Sequence, residues 1–506
     1  MAKTRASHKM NNKWFYPFLA LLFGLLTAQA ISTVQVYLSN GELYRTLVIV
    51  KEAGYLPIPN ERTMPHLQQF GPALFGGLFF TLTVGAGLSL ITLSAAWSWD
   101  RVFGRKRIVI IPYSLLWLGF LVAVNYRSFS PMVTLYFVLI PLVVFGAASK
   151  WLPPRKEMEP WFIRSIHTTP LLLLAVLWTL QSDSQLYINL RDTLLLSNPV
   201  GIKVNDFYYD YTLYPAEVFK TLNQKMIKTS AFKRLQDEKF AMILENQLNR
   251  QGFLKVGRDK VVDLMIMEQG DALIFMNRGK TIIRTTQADF LSDSGAILED
   301  FSKKSDRYAF FRQQITPWSL RIGFPTTLYV FLYTLLRLIL GLFSSSRTSS
   351  IGASSLCFVA GTGLLLIFSL GGVQTLQEAD LKEAMQSERL GDRVAALKTI
   401  EQKKLEIHEF QVYRELLKSP HIVERYWLAR ALSFGKRPDT YMDLITLLDD
   451  PHPNVRNMAF YALGQRGETR SIDDILTRIK TSTDWYTQWY AYHALRSLGW
   501  KQNRSM

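Results

Sequence analysis

Apolar residues gather in uncharged runs of roughly 18 to 25 residues, long enough to cross a hydrocarbon core ~30 Å thick. Seven apolar segments, one of them shorter (Ile166–Leu180) and one carrying Arg337, are predicted as transmembrane helices: Trp14–Leu38, Pro72–Trp97, Ile108–Asn125, Pro131–Ala148, Ile166–Leu180, Ile322–Phe343 and Ile351–Val373. The first begins like a signal peptide, with a basic stretch, the apolar core Phe18 to Leu26, and Ala28-Gln29-Ala30. Its apolar character continues through Ile31, Val34, Val36 and Tyr37, which favours an uncleaved anchor. Between and after the runs the pattern changes. In 182–317, residues 215–229 and 235–251 have helical periodicity. Val261–Met267, Ala272–Met276 and Thr281–Arg284 read as short strands, followed by a helix around 287–303. That segment is expected to be a small mixed α/β domain.

A third pattern occupies 376–506. Three segments align: Arg425 to Gly435, Arg456 to Gly467 and Gln488 to Gly499, with Ala431-Leu432, Ala462-Leu463 and Ala494-Leu495 in register. A weaker unit lies near Arg393–Leu397. Evenly spaced closing glycines are the mark of a helical repeat array. Small alanines let neighbouring helices approach, leucines fill the seam, and glycine is expected at a left-handed helix end. Over 419–500 this predicts paired antiparallel helices with Ala431, Ala462 and Ala494 buried at equivalent positions. The run Asp449-Asp450-Pro451-His452-Pro453-Asn454-Val455-Arg456, with Ala459, Ala462, Gly464 and Gly467, resembles bacterial HEAT-like repeats of the phycobilisome-lyase-like kind. The resemblance implies an α-solenoid that binds a protein, and it brings no catalytic residues with it.

The fold class expected is therefore mainly α and polytopic. A cytoplasmic N-terminus (1–13) precedes a five-helix bundle (14–181). The mixed domain (182–317), two further helices (318–373) and the repeat domain (376–506) follow. The formal charge of +17 resembles a nucleic-acid signal until it is located. Lys3, Arg5, Lys9 and Lys13 precede the first run. Arg101, Arg105, Lys106 and Arg107 share one short loop, and Lys150, Arg155, Lys156 and Arg164 another. The charge is a topology signal, and no nucleic-acid partner is expected. It places the N-terminus and these loops inside, and 39–71, 182–317 and 376–506 outside. The localisation read from it is a bacterial inner membrane.

Candidate chemistry is sparse. No Asp or Glu falls within a predicted span, which disfavours ion-coupled transport. Arg337 is the one clear charge there, expected to snorkel to the interface. The single cysteine, Cys357, lies in an apolar run, and the seven histidines are scattered, with His66 and His167 near opposite faces. No metal site, cofactor or catalytic residue is expected. Two groups remain. Arg425, Trp427, Arg430, Arg456, Arg466 and Trp489, in the repeats, are residue types enriched at binding hot spots. Arg191, Asp206, Tyr208, Tyr209, Asp210, Tyr211 and Tyr214 form an aromatic, acidic stretch. For it three readings stand open: an interfacial belt, packing into the adjacent domain, or a binding site at the outer membrane face. The expected function is a scaffold presenting repeats to an envelope protein, with membrane lipid around its helices. The alternatives are a membrane-bound enzyme or lipid- or polymer-handling factor, and a transport component without ion coupling.

Overall fold

The computed structural model describes residues 15–152, 161–181, 184–235, 237–370, 376–410 and 412–504. Lys3, Arg5, Lys9, Lys13, Arg155 and Lys156 lie outside them, and around Arg164 and His167 only the backbone is described. In chain order the apolar part begins with α1 (Tyr16–Glu52), α2 (Phe70–Arg101), α3 (Arg107–Asn125), α4 (Pro131–Trp151) and α5 (Trp161–Gln181). Then come α6 (Ser184–Leu190), α7 (Pro199–Tyr211), α8 (Leu213–Val218), β1 (Lys228–Lys233), α9 (Glu238–Arg250) and β2 (Phe253–Lys255). Strands β3 (Leu264–Gln269), β4 (Ala272–Asn277) and β5 (Lys280–Thr286) lead into α10 (Gln287–Ser292) and α11 (Ser294–Ser305). Two more apolar helices follow, α12 (Phe311–Gly341) and α13 (Ser346–Leu370). The chain ends in α14 (Leu381–Gln386), α15 (Leu390–Lys403), α16 (Tyr413–Leu416), α17 (Ile422–Ala431), α18 (Pro438–Leu447), α19 (Pro453–Arg466), α20 (Ile472–Thr481) and α21 (Trp485–Ser497).

The chain divides into two compact units. One comprises residues 1–36, 73–189 and 307–372, the other 37–72, 190–306 and 373–506. Among the described residues, six helices (α1 to α4, α12 and α13) are long and apolar enough to cross a membrane, by length and composition. The expected span over Ile166–Leu180 falls on α5, whose shorter apolar stretch is Thr169–Leu180. Small residues set the closest helix approaches in the first unit. A Cβ on Gly85 would meet that of Ala28 at 2.4 Å, and one on Gly323 would meet the Gly87 backbone at 2.8 Å. At Thr81–Gly85 α2 makes a π-helical turn. There Gln29 accepts a hydrogen bond from Thr81 at 2.7 Å and donates one to the Leu74 carbonyl at 2.8 Å. These bonds satisfy polar groups that the apolar surroundings would otherwise penalise.

Several predicted boundaries move. The segment expected as a loop over 39–71 stays helical to Glu52. The helix read over 215–229 ends at Val218, and Lys228–Lys233 is instead a strand. Four successive buried residues in β1 explain the error. A strand covered on both faces has no two-residue alternation to read. Strand β2, also unforeseen, pairs in parallel with β1. The sheet order is β2-β1-β3-β4-β5, with β1 and β3 parallel and β3, β4 and β5 antiparallel. Phe232, Phe240, Leu248, Phe275, Phe290 and Phe301 belong to its main core. A smaller cluster joins Ala231, Val256 and Val262 to Ile49 and Ala53 from the end of α1 and the turn after it. The single helix expected around 287–303 breaks at Asp293, whose side chain caps the second half by accepting from the Ala296 N–H.

In the C-terminal part the helices pair as α14 with α15, α16 with α17, α18 with α19, and α20 with α21, while α15, α17, α19 and α21 pack in succession. Ala431 and Ala462 are fully buried and Ala494 is 3% exposed. Gly467 and Gly499 adopt the expected left-handed backbone, with φ of +73° and +80°. Gly435 does not, because its φ is −67°. It is small for a different reason: a Cβ there would sit 2.7 Å from the Thr440 hydroxyl.

Candidate functional site

An arginine recurs at one place in three successive units. Arg393 binds Glu424 and donates to the Ser387 carbonyl at 2.6 Å. Arg425 binds Asp450 at 2.6 Å and donates to the Ser419 carbonyl. Arg456 donates to the Asp450 carbonyl at 2.8 Å and lies 3.5 Å from Asp484. Each arginine thus caps a carbonyl six residues earlier and reaches an acid from a later part of the array. Arg425 and Arg456, expected on the recognition face, are rungs of this internal ladder. Arg466 is internal as well. Its side chain is 2% exposed and binds Glu468, Thr440 and the Leu432 carbonyl.

The remaining predicted residues converge, although the sequence treated them as two groups. The Arg191 guanidinium lies 4.1 Å from the Tyr426 ring centroid and donates to the Tyr426 hydroxyl at 2.7 Å. Asp192 is buried. It accepts from Arg191 at 2.6 Å, from the Trp427 indole at 2.9 Å and from Lys398 at 2.7 Å. The Trp427 ring therefore has three cations close to it: Lys398 at 4.9 Å, Arg430 at 5.0 Å and Arg191 at 5.7 Å. Each cation–π contact adds about 0.5 kcal/mol or more, rising as the pair is desolvated. The sequence drew notice to Asp192 only as an acid beside Arg191, and did not single out Lys398 or Tyr426. The acid sits beside Arg191, but its partners lie more than 200 residues away.

Helix α7 faces the repeats at a spacing of three to four residues. Asn205 exchanges hydrogen bonds with Asn454, Tyr209 packs on Tyr486 with ring centroids 4.6 Å apart, and Thr212 lies 3.4 Å from the Tyr486 hydroxyl. Tyr214 meets Trp485 edge-on at 5.0 Å. For Tyr209 and Tyr214 the structure favours packing among the three readings. Tyr208 instead is 49% exposed, and Tyr211 packs on Phe207 within α7. Burial, with nearby Asp484 and Asp206, holds the Asp210 carboxyl above the usual carboxylate range.

Beside this junction α17, α19 and α21 form an open groove of about 420 Å³. Tyr426 and Arg430 line it from α17, Met458, Tyr461 and Gln465 from α19, and Trp489, Tyr490 and His493 from α21. Tyr426 and Arg430, Met458, Tyr461 and Gln465, and Trp489 and His493 recur one helical turn apart, so a side-by-side stack of helices carries them into one strip. Arg430 lies between the Trp427 ring and the Tyr461 ring, at 5.0 and 5.6 Å, and Glu401 accepts from its Nε and Nη2. Burial raises the Tyr490 phenol to about 12, so it remains a neutral donor near pH 7. Burial and the nearby Lys220 lower His493, which is then a neutral imidazole. Of the two predicted groups the groove uses Arg430 and Trp489, with Arg191 and Trp427 bracing its Tyr426 end. Tyr461, Tyr490 and Gln465 were not foreseen, since nothing marks them before the helices are stacked. Among the described residues there is no group of three or more His, Cys, Asp or Glu placed to hold a metal ion.

The family described as HEAT repeats matches residues 411–496, so the C-terminal region carries HEAT-like repeats. No curated protein and no solved structure matches the chain.

Proposed function

We propose that this chain is a scaffold of the bacterial inner membrane whose HEAT-like repeats, stacked as an α-solenoid outside the cytoplasm, hold an envelope protein. The observation that carries the reading is the groove. Three successive repeats contribute aromatic rings and one arginine to a single open strip, the residue types on which binding energy concentrates. The matched repeats hint at protein interaction of this kind. Placement at a membrane is supported by the six long apolar helices. One-sided exposure is supported by a coincidence. The three segments that the basic loops assign to the outside, apart from the two ends of 182–317, fall within one compact unit.

The test is site-specific photo-crosslinking in intact cells. A photoreactive phenylalanine analogue replaces Tyr461 in the groove or Met442, which is 59% exposed on α18. The expected result is a discrete crosslinked protein from position 461 and none from 442. Crosslinks to lipid alone, or equal labelling at both positions, would defeat the scaffold reading.

A further inference from the structure

We infer that the groove on α17, α19 and α21 takes an extended acidic peptide segment, a carboxylate residue next to proline. The inference rests on the proposed scaffold reading and names the chemistry of the partner's docking segment.

Charge points to the carboxylate. Among the groove-lining residues Arg430 is the one charged group at neutral pH, and its ion-pair partner Glu401, 2.5 Å away, lies outside the lining. Its guanidinium has five N–H donors, and Glu401 accepts from Nε and Nη2 on one edge. The rings of Trp427 and Tyr461 hold the plane in place. A guanidinium fixed in this way loses little freedom when it binds a carboxylate. The phenol of Tyr490, the amide of Gln465 and the imidazole of His493 add neutral donors along the strip.

Shape points to proline. Trp489 meets the Tyr490 ring edge-on at 4.9 Å and the His493 ring at 4.2 Å, so three rings of α21 stand side by side in the lining. Ridges of flat rings separated by narrow slots are the surface on which a polyproline-type segment docks, because that conformation is already extended and loses little entropy. The strip crosses three repeats instead of sinking into one, so it fits an extended chain better than a compact ligand.

Gln465 makes the idea testable without unfolding the protein, since it is exposed and lines the groove. A library of short random peptides on phage is panned on the full-length protein in detergent, with counter-selection on Trp489→Ala. The expected sequences share Asp or Glu beside Pro. A synthetic peptide of the selected sequence should bind Gln465→Glu at least about tenfold more weakly than wild type and Gln465→Lys more tightly, by like and opposite charge. Arg430→Gln should erase the difference between that peptide and its Glu→Gln counterpart. Neutral or basic selected sequences, affinity indifferent to the charge at 465, or no enrichment over the counter-selection would overturn the inference. So would quenching of the groove tryptophan by soluble oligosaccharides without any selected peptide, which would assign the groove to sugars. A crosslinked partner at position 461 combined with any of these failures leaves the scaffold reading standing. Selected acidic peptides with no crosslinked partner in cells would fail the scaffold reading instead.

Discussion

Arg425 and Arg456 occupy equivalent places yet differ in what surrounds them. The Arg425 side chain is 9% exposed and its acid 4%, whereas Arg456 and Asp484 are 24% and 29% exposed. Removing one member of a buried pair strands the other charge and costs about 3 to 5 kcal/mol, while a half-exposed pair is worth up to about 1 kcal/mol. Arg425→Ala is therefore expected to lower the melting temperature of the full-length protein sharply, and Arg456→Ala only slightly. Equal shifts in thermal melts would show that burial does not grade the ladder. Lys228 makes a pH prediction. Burial, with Arg496 nearby, lowers it to about 8 against the opposing effect of Asp263. Below that pH the ammonium is charged in both folded and unfolded chains, and its burial counts against folding. As pH rises from about 8 toward the ordinary lysine value of ~10.4, the folded chain gives up its proton first, so this group adds stability with rising pH. Melts at pH 8 and pH 10 should show that gain in wild type and a smaller one in Lys228→Met. At this scale the sequence was legible for residues whose role is size. The alanines and Gly467 stand where expected. Arg425 and Arg466 were misread because hot-spot types and internal clamps have the same composition. Only the distant acid tells them apart.

Elements show the same division. The helical repeat was readable because each unit repeats its own local signals, and the pairs α18–α19 and α20–α21 follow from them. Strand β1 was not, since Lys228–Lys233 lies between two other strands and is buried on both faces. Nor was the role of α7, whose tyrosines find Tyr486 and Trp485 nearly three hundred residues later. The seam between repeats supplies the test at this scale. Gly464 stands so close to α21 that a Cβ there would lie 3.0 Å from the Ala494 Cα, and Ala462 is fully buried on the same helix. Ala462→Leu should overpack the seam and cost about 1 to 3 kcal/mol. Because repeats are stabilised by their neighbours, hydrogen exchange should quicken in α17 and α21 as well as in α19. Protection lost from α19 alone would mean the repeats do not support one another.

For the whole molecule the two compact units sort the chain as the charge pattern does. If the topology is as proposed, a periplasm-active reporter fused after Met506 is active and one inserted within 98–107 is silent. The reverse result would move the repeats into the cytoplasm. One feature of the second unit bears on assembly. The last repeat is engaged by residues just after α1. The Asn60 N–H donates to the Gln488 side-chain oxygen at 2.7 Å and its side-chain amide donates to the Ile479 and Ser482 carbonyls, while Leu56 and Gln502 bond in both directions. A stack of like units has no inherent last member. An end left bare offers the next molecule the same surface that each unit offers its successor. The loop at Leu56–Thr63 is bonded to that end, and the expectation is that it serves as a chain terminator in the polymer chemist's sense. Asn60→Ala combined with Gln488→Ala should loosen that stop, and the purified protein should then form concentration-dependent oligomers on size-exclusion chromatography where wild type keeps one size.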